Sequence, residues 1–415
     1  MSFNGWYGRK NTAESHVFQR HTVLSLGAVF WIIVSKIVRS LPVELDDFFG
    51  RMGLPVPTKS AFSMKRALIT SEFFRSMNDL LINTFYSYDS VKTWKGHVLL
   101  ACDGTRLALP DIDELGEEFG YYHTYQGENL YPSAKGSIFH DPLNNITVSA
   151  EIEHKNKDER YIFQDTFARA NELVGRKTVM ILDRGYFSYL MMFRIIRSGQ
   201  LFVMKSRDMK WTEDFISSGK KEADIKICPS RDTSIYRERD WRMRKNKTLD
   251  VRVVRFDHPN GSVSVLITNI GKDTAKAKEI IELYRLRWQA ETAYGVYKND
   301  MALELFSTFR VDGVRQDFFA ALILFNLAAL LAWENKSKAK NRKPNMNIAV
   351  GLVHNLCSTF AFKSKAQIER RIRQISSILF ASLTYIVPDR SFSRKRRKRK
   401  TSGKFFRHTN FSMAV

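Results

Sequence analysis

Cysteine is scarce in this chain: 415 residues hold three, Cys102, Cys228 and Cys357. They are odd in number, far apart and without a CxxC pair, which points to neither a disulfide framework nor a zinc site and fits a reducing compartment. No charged start followed by a short apolar core and a small-residue cleavage site marks a secretory leader. Long apolar runs are missing too. Residues 23–34 (VLSLGAVFWIIV) and 318–333 fall short of the ~20 residues a bilayer span requires, and the second contains Asn326. Both read as core helices, and no membrane partner is expected. No internal repeat is present. Acidic residues are in deficit, 43 Asp and Glu against 66 Lys and Arg, for a formal net charge of +23. Such an excess is the footprint of a polyanion binder, because each phosphate neutralised releases condensed counterions. Nucleic acid is the expected partner, with a membrane surface or a ribosome as alternatives.

What is there folds. Hydrophobic residues make up 44% and aromatics 13%, ordinary for a globular protein, and the length allows one sizeable core with one or two accessory units. The first ninety or so residues alternate apolar helical segments with basic ones. Ser60 is placed to cap a helix pair whose apolar residues include Phe62, Phe73, Phe74, Met77 and Leu81. This region reads either as a DNA-binding domain or as a helical lid over the adjoining domain. From His97 the pattern turns to strands, HVLLACD, then TRLALP, then SAKGSIFHD and NNITVSAEIEH, an antiparallel meander. A helix over 158–174 leads to KTVMILDRGY, a short buried strand ending on an acid. SYLMMFRIIRSG predicts a helix and LFVMKS another strand, so the core is α/β. Residues 207–269 are polar and basic, with strands at LDVRVVRFDH and SVSVLITNI around the turn Pro259-Asn260-Gly261, and read as an insertion. From Thr274 a long helix runs through Glu279, Leu283, Trp288 and Tyr297 with no Pro or cap to stop it.

Two aspartates stand where ordinary surface acids do not. Asp103 ends the run VLLAC and Asp183 ends VMIL, so each carboxylate sits at the end of a buried strand, where desolvation is costly unless a positive partner holds it. A metal ion is one such partner; a turn at DGT or a helix cap is the structural alternative. In YRLRWQAETAYGVYK, the residues Tyr284, Arg287, Glu291 and Lys298 fall at i, i+3, i+7 and i+14. At about 100° per residue they project within about 60° of one another. One helix face then carries a phenol, a guanidinium, a carboxylate and an ammonium. An exposed stripe with an Arg287–Glu291 pair, worth a few tenths of a kcal/mol, is the alternative.

This series, with Trp288 directly after the arginine, resembles the Y-R-E-K signature of bacterial insertion-sequence transposases with a DDE active site. DGT at Asp103 and DRGY at Asp183 resemble the first and second acid motifs of that family. The acid spacings, 80 and then 108 residues, are similar to the cut-and-paste branch with a β-rich insertion between the second Asp and the Glu. The resemblance covers about 98–302. It implies an RNase H-like catalytic core, a mixed sheet flanked by helices, in which Asp103, Asp183 and Glu291 bind two Mg²⁺ or Mn²⁺ ions. Hard oxygen ligands suit these ions. It further implies water attack at the transposon end, then attack by the freed 3′-hydroxyl, through a hairpin in similar enzymes. Arg287 and Lys298 would hold phosphates, and Tyr284 would bond or stack near the transposon end. Trp288 would pack against a displaced base or fill the core. Arg184 would contact a phosphate or pair with Asp183. Trp241 and Trp211, in the insertion, are candidates to hold a flipped base, with a buried aromatic as the alternative for either. His123, His140 and His154 have no ligand spacing.

The expected organisation is a helical N-terminal DNA-binding domain (1–92), the first part of the catalytic core (93–206), a β-rich insertion (207–270), the second part of the core with closing helices (271–385), and a basic tail (386–415). Within the tail, RKRRKRK at 394–400 reads as a nonspecific DNA-binding run. The expected partners are double-stranded DNA, both transposon ends and target, and a second copy of the chain in the synaptic complex. The expected location is the bacterial cytoplasm, at the nucleoid. A metal-dependent endonuclease that does not transpose and a retired DNA-binding protein are the rival readings. A glycosidase with two acids is disfavoured by the charge.

Overall fold

The computed structural model describes residue 18 and residues 22–123, 130–229, 248–258, 260–336 and 342–385. The basic tail, Trp241 and Pro259 lie outside the described residues. Among the described residues four helices come first: α1 (Leu26–Val34), α2 (Leu41–Gly50), α3 (Lys59–Arg66) and α4 (Ser71–Tyr86). Thr58 starts α3, its extended backbone letting the hydroxyl accept from the Ala61 N–H at 3.2 Å. Ser60, expected to cap, is already inside the first turn, where its own backbone is helical.

β1 (Val98–Ala108) is one unbroken strand. The sequence pattern divides it at DGT, but Asp103 to Ala108 pair residue by residue with Ile138 back to Ser133, so the ladder carries the strand through. After α5 (Asp113–Phe119) and β2 (Tyr121–His123) come β3 (Leu130–Asp141) and β4 (Ile146–His154), which complete the antiparallel meander. α6 (Glu159–Val174) is capped by the Asp158 carboxylate and closed by Gly175 in the left-handed region, φ 60°, a conformation glycine adopts without steric cost. β5 (Thr178–Leu182) then lies parallel to β1, and β6 (Leu201–Lys205), reached through α7 (Tyr189–Arg197), lies parallel to β5.

Beyond α8 (Lys210–Ser217), the strands β7 (Glu222–Ile227), β8 (Leu249–Asp257) and β9 (Val263–Thr268) add antiparallel to β6 in the order β9, β8, β7. The β-rich segment thus extends the central sheet, which among the described residues has nine strands and both parallel and antiparallel pairs. Helices α9 (Ala277–Arg285) and α10 (Trp288–Gly295), a π turn at Val296–Asp300, and then α11 (Val311–Lys336), α12 (Met346–Phe362) and α13 (Lys365–Ala381) complete the chain order. The molecule is α/β, a mixed sheet flanked by helices.

α11 is longer than the apolar run that signalled it. By length and composition its residues 311–334 could cross a bilayer, yet 83% of the apolar window is buried inside the protein. It is the central core helix, packed against α1, α4, α12 and β4. Its one buried amide in mid-run, Asn326, is fully used: the side chain accepts from the Thr147 N–H at 2.8 Å and donates to the Thr147 carbonyl and to Asn78, each at 2.9 Å. Buried polar groups are tolerated when paired in this way, and the three contacts tie α4, β4 and α11 to a single register. The first four helices share one hydrophobic cluster with the sheet and the closing helices.

Candidate active site

Asp103 lies where β1 loses its parallel neighbour. The β1–β5 pairing ends at Ala101–Ile181, whereas β1 runs on against β3. The gap so formed is the C-terminal edge of β5, where Asp183 follows Leu182. Asp183 caps a short 3₁₀ turn, Arg184–Tyr186, its Oδ1 accepting from the Gly185 N–H at 2.7 Å. A Cβ at Gly185 would stand 3.0 Å from that oxygen, a tight contact that glycine avoids.

A buried framework sets the spacing of the two strands. The Cys102 thiol donates to the Tyr186 hydroxyl at 3.3 Å, and the Tyr186 ring packs on Phe163 of α6 with centroids 5.7 Å apart. Burial pushes the Cys102 thiol well above its ordinary range, so it is a packing group and not a nucleophile.

Glu291 arrives on α10. Tyr294, one turn later, donates to the Asp103 carbonyl at 3.1 Å, pinning the helix to β1. Arg287 bridges the acids: its guanidinium lies 2.7 Å from Glu291 Oε1 and 3.9 Å from Asp103 Oδ1. Buried Tyr284 lies beside the same guanidinium, close enough to act on its charge. Lys298 donates to the Arg106 carbonyl and pairs with Glu304 at 3.3 Å. Of the expected helix stripe, Arg287 and Lys298 reach β1 directly and Glu291 through Arg287, whereas Tyr284 lies toward Phe256 of β8.

They do so on a helix that is not continuous, contrary to the expectation from sequence. Around Arg287 the backbone bonds are i to i−3: Leu286 to Leu283, Arg287 to Tyr284, Gln289 to Leu286 and Ala290 to Arg287. That tighter winding has three residues per turn. Val296–Asp300 is then wound wider, as a π turn. The uniform 100° step fails in both places, so the stripe does not follow straight helical geometry.

Other expected residues fall elsewhere. Trp288 is 52% exposed, so it does not fill the core; Arg287 stands 5.8 Å from its ring. Arg184 is exposed and faces Asp208 at 3.8 Å instead of Asp183. Trp211 packs against the hydrophobic core. A cleft of about 300 Å³ between β7, β8 and the segment after β9 contains none of the three acids.

Three features of the site carry no clear sequence signal. Arg207 clamps the turn after Asp183, donating to the Arg184 and Gly185 carbonyls at 3.2 Å. Arg106, three residues beyond Asp103, stacks on Tyr122 and Tyr131 with Lys155 also over Tyr122, a basic and aromatic rim. Glu159, at the start of α6, turns its carboxylate over Gly104. In sequence each of the three looks like an ordinary surface charge.

Burial, then the charges of Glu291 and Asp183, push the Asp103 carboxyl up to about 7 against the opposing pull of Arg287. Burial raises Glu159 as well, with Asp183 and Asp158 adding to it and Lys135 opposing. Among the described residues no three His, Cys, Asp or Glu side chains already close around a single metal position. The donor set still fits a hard divalent cation, since it is all carboxylate oxygen and Asp103 carries an electrostatic penalty that a cation would relieve. The same penalty bears on stability. Asp103 is protonated in both folded and unfolded chains below pH ~4, where its charge carries no penalty; the folded state loses stability as the pH rises from ~4 to about 7, and the loss is complete above that. In chelator, Asp103→Asn is expected to stabilise the protein at pH 8 by on the order of 2–4 kcal/mol and to change little at pH 4. Denaturant unfolding at the two pH values checks this, and an equal effect at both would contradict it.

Residues 94–327 match the profile of the family described as the Transposase DDE domain. Among solved structures, the chain is similar to a piggyBac transposase in a synaptic complex with hairpin DNA, with 12% identity over 91% of this chain and 80% of that one and a TM-score of 0.45. No curated relative matches.

Proposed function

The chain belongs to the Transposase DDE domain family, and from that premise we propose that it excises and inserts an insertion-sequence element, by divalent-metal-dependent hydrolysis of DNA and strand transfer. The observation that carries the proposal is that Arg287 spans Asp103 of β1 and Glu291 of α10, with Asp183 at the end of β5 near enough for its charge to act on Asp103, in a chain of charge +23.

Asp103, Asp183 and Glu291 would hold two Mg²⁺ or Mn²⁺ ions. These ions supply activation of the attacking oxygen and stabilisation of the leaving one in an in-line displacement at phosphorus. The chain's own residues do the rest. Arg287, buried on the site's inner side, is oriented by Glu291 to place its guanidinium against a phosphate. Lys298 and the Arg106 rim supply positive charge along the backbone path. Exposed Trp288 and Arg184 are placed to meet DNA from outside. Water first cleaves at the element's end, releasing a 3′-hydroxyl. That hydroxyl then attacks the opposite strand, closing a hairpin that is reopened before insertion, as the Y-R-E-K resemblance implies. Two ends must be held together, so a homodimer on DNA is the working form, acting in the bacterial cytoplasm on nucleoid DNA.

The rival is an endonuclease on the same site. Incubation of the full chain with its element's ends and a target plasmid in Mg²⁺ or Mn²⁺ separates the two: joined end–plasmid products are expected. Cutting without any joined product would favour the endonuclease.

A further inference from the structure

We propose that Glu159 is a fourth carboxylate of this site, sharing a divalent ion with Asp103 and Asp183. The proposal rests on the metal-dependent reading above. At the first position of α6, beside the capping Asp158, an acid is ordinary helix-start chemistry, favoured by the helix dipole whatever else it does. The side chain does not behave as one. It turns inward over β1, where a Cβ built on Gly104 would lie 3.1 Å from both its Cδ and Oε1. Gly104 is the residue after Asp103, and glycine there is what leaves room for the carboxylate.

The neighbouring acids on the same elements have partners. Glu151 pairs with Arg75, Glu153 with Lys157 and Asp158 with Arg160. Among the described residues Glu159 has no hydrogen bond or ion pair, although it is half-buried and Lys135 lies close enough to act on it. A partly buried carboxylate without a partner is costly to keep. Its position is also fixed by the framework that fixes the other two. Phe163, one helical turn after Glu159, packs on Tyr186, which is three residues after Asp183 and bonded to Cys102, the residue before Asp103. One buried contact chain thus sets the separations of all three acids, as a site that must hold an ion requires.

The test is Mn²⁺ binding to the full chain, measured by titration calorimetry and by the paramagnetic resonance of free Mn²⁺, for the parent, Glu159→Gln, Gly104→Ala and Asp183→Asn. Gln keeps the shape and breaks no bond within the described residues, so the fold is expected to hold, which the melting curve checks. Glu159→Gln is expected to weaken Mn²⁺ binding at least about tenfold, and the Mn²⁺ needed for half-maximal cutting is expected to rise in the same ratio. Gly104→Ala, which removes no carboxylate but displaces this one, is expected to do likewise. A variant carrying both Gly104→Ala and Glu159→Gln should bind Mn²⁺ no worse than Glu159→Gln alone, because both changes act through one group. If Asp183→Asn loses Mn²⁺ and Glu159→Gln does not, the fourth carboxylate is wrong and the three-acid site stands. If neither variant changes Mn²⁺ binding, both fall.

Discussion

Asp183→Asn and Glu291→Gln are each expected to lower DNA cutting and joining by at least about a thousandfold, with DNA affinity changed by no more than a few-fold. The magnitude follows from the several kcal/mol of charge stabilisation that correctly placed divalent ions supply, at about 1.4 kcal/mol per factor of ten. Both substitutions are isosteric, and the structure shows why the fold should survive them. In Asp183→Asn the side-chain amide oxygen can still accept from the Gly185 N–H that Asp183 Oδ1 binds. In Glu291→Gln the amide oxygen can still accept from Arg287, as Glu291 Oε1 does. Only the negative charge is lost, and charge is what a hard cation requires. Affinity is read by gel shift in chelator and catalysis by single-turnover cutting. Near-parental cutting by either variant would remove that residue from the site.

The second large effect concerns the fold. Asp317→Ala is expected to destabilise the protein by about 3–5 kcal/mol, the usual cost of removing one partner of a buried ion pair. Asp317 on α11 is 3% exposed and pairs at 2.9 Å with Arg66 of α3, itself 9% exposed. The same carboxylate accepts from the Ser307 N–H and hydroxyl. It also offsets the charge of Lys36, whose buried ammonium is pushed below its ordinary range by desolvation and by the neighbouring Arg66. Removing Asp317 therefore leaves Arg66 and Lys36 without their shared counter-charge, with only neutral acceptors at the junction of the N-terminal helices with the core. Denaturant unfolding measures the loss. A change below ~1 kcal/mol would mean that the junction contributes little and that the N-terminal helices are only loosely coupled to the sheet.

Much of this architecture was legible in the sequence because its signals were local. Apolar runs ending in an acid marked β1 and β5, and DRGY carried the glycine that the turn after Asp183 needs. The spacing of Tyr284, Arg287, Glu291 and Lys298 singled out Glu291, which the fold carries to Arg287 and Asp103. What was not legible depends on partners distant in the chain. Nothing within residues 283–290 announces the tightened turn seen around Arg287. DGT reads as a turn until the β3 ladder is seen to run past it. The strands between Glu222 and Thr268 look inserted because their sheet partner, β6, is remote in sequence. Glu159 is hidden for the same reason: a helix-start glutamate has no distinguishing pattern, and only the fold shows it lying over Gly104.

The most direct test of the central claim, that these acids form one divalent-metal site, is iron-directed backbone cleavage. Fe²⁺ is a first-row divalent ion that the same oxygen ligands can bind, and with ascorbate and peroxide it generates radicals that cut the polypeptide where the ion sits. The expected fragments end close to residues 103, 183 and 291, are suppressed by excess Mg²⁺ or Mn²⁺, and vanish in Asp183→Asn. Cuts confined to other parts of the chain, or cuts at these places that persist unchanged in Asp183→Asn, would contradict the account.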